Sequence, residues 1–103
     1  MDVVVDIRRA SSSYGQWLSV ELSAAAGNQI FVPKGFLHGF VTLVPGSELL
    51  YKCSDIYAPD CDGSVHFASQ SLGIDWQIDP KQAVLSTKDA QAVDFADFTS
   101  PFE

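Results

Sequence analysis

The chain has 103 residues, 47% hydrophobic and 12% aromatic, which gives room for one domain with a modest core and excludes a disordered polypeptide. Asp and Glu number 13 against 6 Lys and Arg, a net charge of −7. That balance argues against nucleic acid and anionic membrane surfaces as partners, since neither supplies a counter-charge.

Asp2 to Arg8 is rich in Val and Ile and alternates weakly, which predicts a strand. A strand beginning at the first residue is unusual for an intact domain and implies that upstream strands are missing. Arg8 to Gly15 (RRASSSYG) is small and polar, a loop. Gln16 to Ser23 alternates, with Trp17, Ser19, Glu21 and Ser23 set against Leu18, Val20 and Leu22, and predicts a half-buried strand. Ala24 to Asn28 is at most a helical turn, and Gln29 to Val32 is a further short strand.

Val32-Pro33-Lys34-Gly35 is a turn, because Pro fixes φ and Gly frees it. Phe36 to Val44 then predicts a strand carrying His38. Val44-Pro45-Gly46-Ser47 is a second turn, and Leu49 to Cys53 a returning strand carrying Tyr51. The expectation is a hairpin-like pair with His38 and Tyr51 over one concavity. Ser54 to Gly63 is a loop, Val65 to Phe67 a short strand, Ser69 to Gly73 a turn, and Ile74 to Ile78 a strand stopped by Asp79-Pro80. Ser86 is placed to cap a helix start, with Asp89 three residues on to close a capping box. The tail from Asp94 is acidic and aromatic, and Phe95, Phe98 and Phe102 are expected to pack back on the domain or between chains.

Many short strands separated by Pro and Gly, without a long amphipathic helix, predict an all-β sandwich or barrel. Cys53 and Cys61 are too few for a disulfide framework and fit no zinc spacing, so free thiols are expected. There is no apolar run of about 18 residues for a membrane helix. Met1 to Asp6 lacks the basic start and apolar core of a signal peptide, and a cytoplasmic location follows as the expectation.

Five stretches carry a family resemblance: DVVVDIRRASSSYGQW from Asp2, PKGFLHGFVTL from Pro33, LLYKCSDIYAP from Leu49, LGIDW from Leu72 and LSTKDA from Leu85. In order, over nearly the whole chain, they resemble the later part of the dTDP-4-dehydrorhamnose 3,5-epimerases, the RmlC-like sugar-nucleotide epimerases. The resemblance implies an all-β, jelly-roll, cupin-like barrel. It implies a single domain over residues 1–103 without the family's N-terminal strands, and a homodimer. It also implies a dTDP-sugar-like small ligand, with no cofactor and no metal. The family reaction inverts the carbons flanking a ketone, which itself acidifies the protons to be removed. A base takes a proton, a polar group holds the enolate oxygen, and an acid returns a proton on the other face.

Carried over by motif, Tyr51 is the proton donor, and Asp89 is the carboxylate that orients the base. His38 binds substrate, Tyr57 stacks on thymine, and Lys88 meets the nucleotide. Asp62 stands where the family has Glu, and Asp2 is an aspartate beside the pocket. Each residue also has an ordinary structural reading: a packed Tyr, a satisfied core His, and charges at a helix start. The family's base is a histidine in an earlier RGLHFQ-type motif, which this sequence lacks along with a nearby Arg and Lys; His66 matches no catalytic position. Losing a general base costs about 10²–10⁴-fold. The expectation is a truncated epimerase-like protein, impaired in catalysis, that binds a nucleotide-sugar or another small ligand. The alternatives are a working dTDP-sugar 3,5-epimerase completed by a partner or by a substitute base, and a non-catalytic assembly module. Two distant histidines do not make a metal-dependent cupin centre.

Overall fold

The computed structural model describes residues 1–103, and the alternation in DVVVD organises it. Strand β1 (Asp2–Asp6) lies between β2 (Trp17–Val20) and β3 (Phe36–Phe40) and is antiparallel to both. The register sets Val4 opposite Leu18 and His38, and Val5 opposite Trp17 and Leu37. Since successive side chains point to opposite faces, one face presents Val3, Val5, Trp17 and Leu37. The other presents Asp2, Val4, Asp6, Leu18, Phe36, His38 and Phe40.

The first face is the core. Val3, Val5, Ile7 and Leu72 are buried there, and Trp17, Ile74, Trp76, Phe95, Phe98 and Phe102 pack against them. The aromatic tail therefore folds back on the sheet, the first of the two arrangements its composition allows. Ser100 donates its hydroxyl to the Ile7 carbonyl, and the Arg9 amide donates to the Phe102 carbonyl at 3.0 Å, which ties the tail to the end of β1. Trp76 donates its indole N–H to the Phe67 carbonyl at 2.7 Å and lies over Gly39, where an added Cβ would sit 3.1 Å from the ring. Gly35 has φ +94°, a conformation that favours glycine.

The helix start appears where local chemistry predicts it. Helix α1 (Thr87–Ala90) is capped by the Ser86 hydroxyl, which accepts from the Asp89 amide at 3.2 Å. The reciprocal half of the box is not formed, consistent with a carboxylate one methylene shorter than the usual Glu. Val65 to Phe67 contributes a single parallel bridge, Val65 to Val93, rather than a strand.

Three expected strands are absent. Gln29 to Val32 pairs with nothing. Ile74 to Ile78 is broken by Gln77 at φ +62°, and Ile74 packs on the core from a loop. Leu49 to Cys53 is also unpaired, so the expected hairpin with Phe36–Val44 is not formed. β3 ends at Phe40, and the strand beside it is β1. From residue 42 to 57 no backbone amide or carbonyl bonds to another backbone group. The outer edge of β3 stays free, and a segment without a ladder is no strand however apt its composition. Leu50 and Ile56 are left 88% and 90% exposed. The sheet is open, with three strands and two free edges, and does not close into the barrel that the resemblance implies. No helix is long and apolar enough to cross a membrane.

Candidate functional site

The open face of the sheet carries the first cluster. Asp2 begins β1 opposite Phe40, and His38 lies mid-β3 two residues from that partner, so the two side chains meet diagonally on the same face. Both Asp2 carboxylate oxygens lie 2.9 Å from His38 Nε2. The carboxylate is buried, with a side-chain exposure of 3%, whereas the imidazole is 33% exposed. Asp2 thus fixes the ring orientation and retains a proton on Nε2, and the other ring nitrogen has no protein partner.

Beside it on β1, Asp6 organises the loop to β2. Its carboxylate accepts from Arg8 Nε at 3.0 Å, Arg8 Nη2 at 2.9 Å, Ser11 Oγ at 2.6 Å and the Ser13 hydroxyl. The Arg8 guanidinium, aided by the two hydroxyls against the cost of burial, holds the Asp6 carboxyl far below the usual carboxylate range. Arg8 also lies over the Phe36 ring, 4.8 Å from its centroid. A depression of about 320 Å³ opens here, lined by Val4, Asp6, Ser13, Gln16, Trp17, Leu18 and Phe36. Sequence reasoning passed over this network. Its trace was an Asp two residues before an Arg and followed by closely spaced serines.

The second cluster joins three residues named separately from the sequence. A 3₁₀ turn at Pro59–Cys61 brings Asp62 to Lys88 of α1, whose ammonium pairs with the carboxylate. The Tyr57 hydroxyl donates to the same oxygen at 3.4 Å. The Lys88 bond holds the Asp62 carboxyl below its usual value, and Asp62 in turn holds Lys88 above its own.

Two named residues stand apart. Tyr51 lies in the unpaired segment, 69% exposed, with no hydrogen bond to His38 or any other group. Asp89 follows Lys88 in α1, and its carboxylate meets no imidazole. His66 instead accepts the Ala68 amide on Nδ1 at 3.1 Å, and its ring lies 5.1 Å from that of Phe67. No three His, Cys, Asp or Glu side chains converge as a metal-ligand set, and Cys53 and Cys61 are free, exposed thiols.

Residues 1–97 match the family model of dTDP-4-dehydrorhamnose 3,5-epimerase. The enzyme of that name from Salmonella typhimurium is 45% identical over 91 residues, covering 88% of this chain and 49% of the relative. The one from Pseudomonas aeruginosa is 43% identical over 96 residues, covering 93% and 52%. The crystal structure of the Elizabethkingia anophelis dTDP-4-dehydrorhamnose 3,5-epimerase superposes with a TM-score of 0.81 at 40% identity, over 93% of this chain and 52% of that one. The dTDP-6-deoxy-D-glucose-3,5-epimerase of Legionella pneumophila, solved in complex with dTDP-4-keto-L-rhamnose, superposes with a TM-score of 0.76 at 41% identity, over 90% and 49%. The chain spans about half the length of these relatives. With a match that runs from its first strand to its aromatic tail, the chain belongs to the dTDP-4-dehydrorhamnose 3,5-epimerase family.

Proposed function

We propose that the chain supplies the sugar-gripping and nucleotide-gripping portion of a dTDP-sugar 3,5-epimerase site, and that by itself it is impaired in catalysis. The observation that carries this reading is the Asp2 carboxylate holding a half-exposed His38 on the open sheet face. The ligand held by the Legionella relative is the kind of molecule such a face would take. With Nε2 committed to Asp2, the other nitrogen of His38 is left for the substrate. As an imidazolium it donates to an enolate or phosphate oxygen, and as a neutral ring it accepts a hydroxyl. Tyr57 and Lys88 receive the nucleotide, Asp62 positions Lys88 until it does, and Asp2 backs the pocket. Tyr51, through its phenol O–H, returns the proton to the carbanion-like carbon.

What these residues do not provide is a free imidazole for Asp89 to orient. His38 is held by Asp2 and His66 by Ala68. Proton removal is then the deficient step, worth about 10²–10⁴ in rate. No cofactor is called for, since the ketone acidifies its own neighbours. The same reading includes one RmlC-like cupin unit over residues 1–103, pairing of copies through free sheet edges, and a cytoplasmic setting.

The test is solvent deuterium incorporation at C3 and C5 of dTDP-4-keto-6-deoxyglucose, run beside thermal shift with dTDP. The expected result is stabilisation by dTDP, with exchange at least about a thousandfold slower than that of the Salmonella enzyme. Exchange at the relative's rate, or no response to millimolar dTDP, overturns the proposal.

A further inference from the structure

We infer that Phe40 is a specificity-determining residue: it receives the methyl group at C6 of the sugar and so favours 6-deoxy over 6-hydroxy sugar nucleotides. The inference rests on the reading above, in which His38 meets the oxygen at C4. It adds a residue and the part of the ligand which that residue selects.

Alternation along β3 sets Phe36, His38 and Phe40 in one row on the open face. The two phenylalanines flank the imidazole and differ in what covers them. Phe36 lies under the Arg8 guanidinium, 4.8 Å from its ring centroid. Phe40 has no such cover. It is 47% exposed, with its ring centroid 6.4 Å from that of His38 and the two planes tilted by 35°. The next large apolar side chain on this face, Leu18, sits on β2 with β1 in between, two strand spacings of about 4.8 Å from His38. Leu18 lines the depression beside Asp6 instead. A ligand whose oxygen is held by His38 therefore has one large apolar neighbour left bare, and it is Phe40. The sugar matches this arrangement. C4 and C5 are adjacent ring carbons, so the oxygen on C4 and the C6 group on C5 project side by side. With the oxygen on the imidazole, C6 comes against the adjoining aromatic ring. A methyl group there removes apolar surface from water and leaves nothing unsatisfied. A hydroxymethyl group brings an O–H to a place without a free acceptor. Asp2 stands directly opposite Phe40, but its side chain is only 3% exposed, and both its oxygens face His38 Nε2. Such a hydroxyl keeps its hydrogen bonds only by staying in water, away from the ring. An enclosed apolar pocket rejects an added hydroxyl by about 100-fold, and on this open face the preference should be about fivefold.

The experiment titrates the full chain in a calorimeter with dTDP-6-deoxy-D-glucose and with dTDP-D-glucose, which differ only in the oxygen at C6. Both carry a hydroxyl at C4 for His38. The readout is the ratio of the two affinities, in which a general loss of nucleotide binding cancels. The unmodified chain should bind the 6-deoxy compound about fivefold more tightly. Phe40→Leu should keep a preference of the same sign, because the wall stays apolar. Phe40→Gln, whose amide offers the hydroxyl a partner, should bring the ratio to one or reverse it. Phe31→Gln, at an exposed position in the loop before β3, should leave the ratio as it was. A second measurement needs no variant to fold: in the unmodified chain the C6 methyl protons should show nuclear Overhauser contacts to the Phe40 ring protons. Equal affinities in a chain that binds dTDP overturn this inference alone. So does a preference untouched by Phe40→Gln or lost equally in Phe31→Gln, and so do methyl contacts to Leu18 without any to Phe40. Failure of dTDP itself to bind overturns the reading beneath, and the inference with it.

Discussion

Asp2 holds His38 by a single ring nitrogen, with both carboxylate oxygens 2.9 Å from Nε2. The pair joins residues 36 positions apart, and it exists only because β1 and β3 lie in one register. A buried carboxylate against a half-exposed imidazole dictates which nitrogen carries the proton in the neutral ring. Long-range ¹⁵N–¹H spectra should place that proton on Nε2 of His38. Asp2→Ala should release the preference and lower stability by about 1–2 kcal/mol. A neutral His38 protonated on Nδ1 in the unmodified chain would contradict the arrangement.

Acid stability should be governed in good part by Asp6. Its carboxyl is held well below the ordinary 3.8 by Arg8, then by Ser11 and Ser13. A carboxyl depressed in the folded chain contributes its full stabilisation above the unfolded value. The contribution is lost as pH falls further, because the unfolded chain takes up a proton before the folded one does. Asp62 and Asp94 are shifted in the same direction, by Lys88 and by Ser71 respectively. The melting temperature should therefore decline steadily below about pH 4. Asp6→Asn should lower it at neutral pH and flatten that decline without removing it. Superimposable acid limbs for the two proteins would show that the network does not stabilise the fold.

What the sequence disclosed and what it withheld divide along the range of the interactions. The β1 strand, the Ser86 cap and the inward-packing phenylalanines rest on alternation, local hydrogen bonding and apolar content, all readable residue by residue. Leu49 to Cys53 has a strand's composition but no ladder, and pairing is a property of two segments, not one. Alternation in Gln16–Ser23 separated Trp17 from Leu18 without saying which faces the core; the register with β1 packs a partly buried Trp17 against the core and leaves Leu18 exposed. The family motif named Asp2 and His38 individually, and Tyr57, Asp62 and Lys88 likewise. Their contacts across 36 and 26 positions needed the fold. The Asp6 network escaped notice because its members look like ordinary loop chemistry until burial joins them.

Gly39 and Trp76 should behave as one unit. A Cβ at position 39 would stand 3.1 Å from the indole, tighter than ordinary contact, while the indole N–H is anchored to Phe67. Gly39→Val should cost about 1–3 kcal/mol through overpacking. Trp76→Phe, which withdraws the outer ring, should recover part of that cost in the double variant, giving a clear coupling in denaturant melts. Strict additivity would mean that the ring moves aside freely.

The Lys88–Asp62 pair sets up a competition that binding measurements resolve. If Lys88 is to meet a diphosphate, it must first leave Asp62. The two side chains are 55% and 28% exposed, and solvent screens ion pairs of that kind so that they stabilise little. Displacement is therefore cheap, and removing the competitor should help by a few-fold at most. Asp62→Asn should tighten dTDP binding by up to about fivefold. Lys88→Met should weaken it by about tenfold and flatten its salt dependence, since a contact to phosphate is lost. Titration calorimetry at two ionic strengths reads both effects. Weaker binding in Asp62→Asn would instead make the carboxylate itself a nucleotide contact, and no change in either variant would remove this cluster from the site.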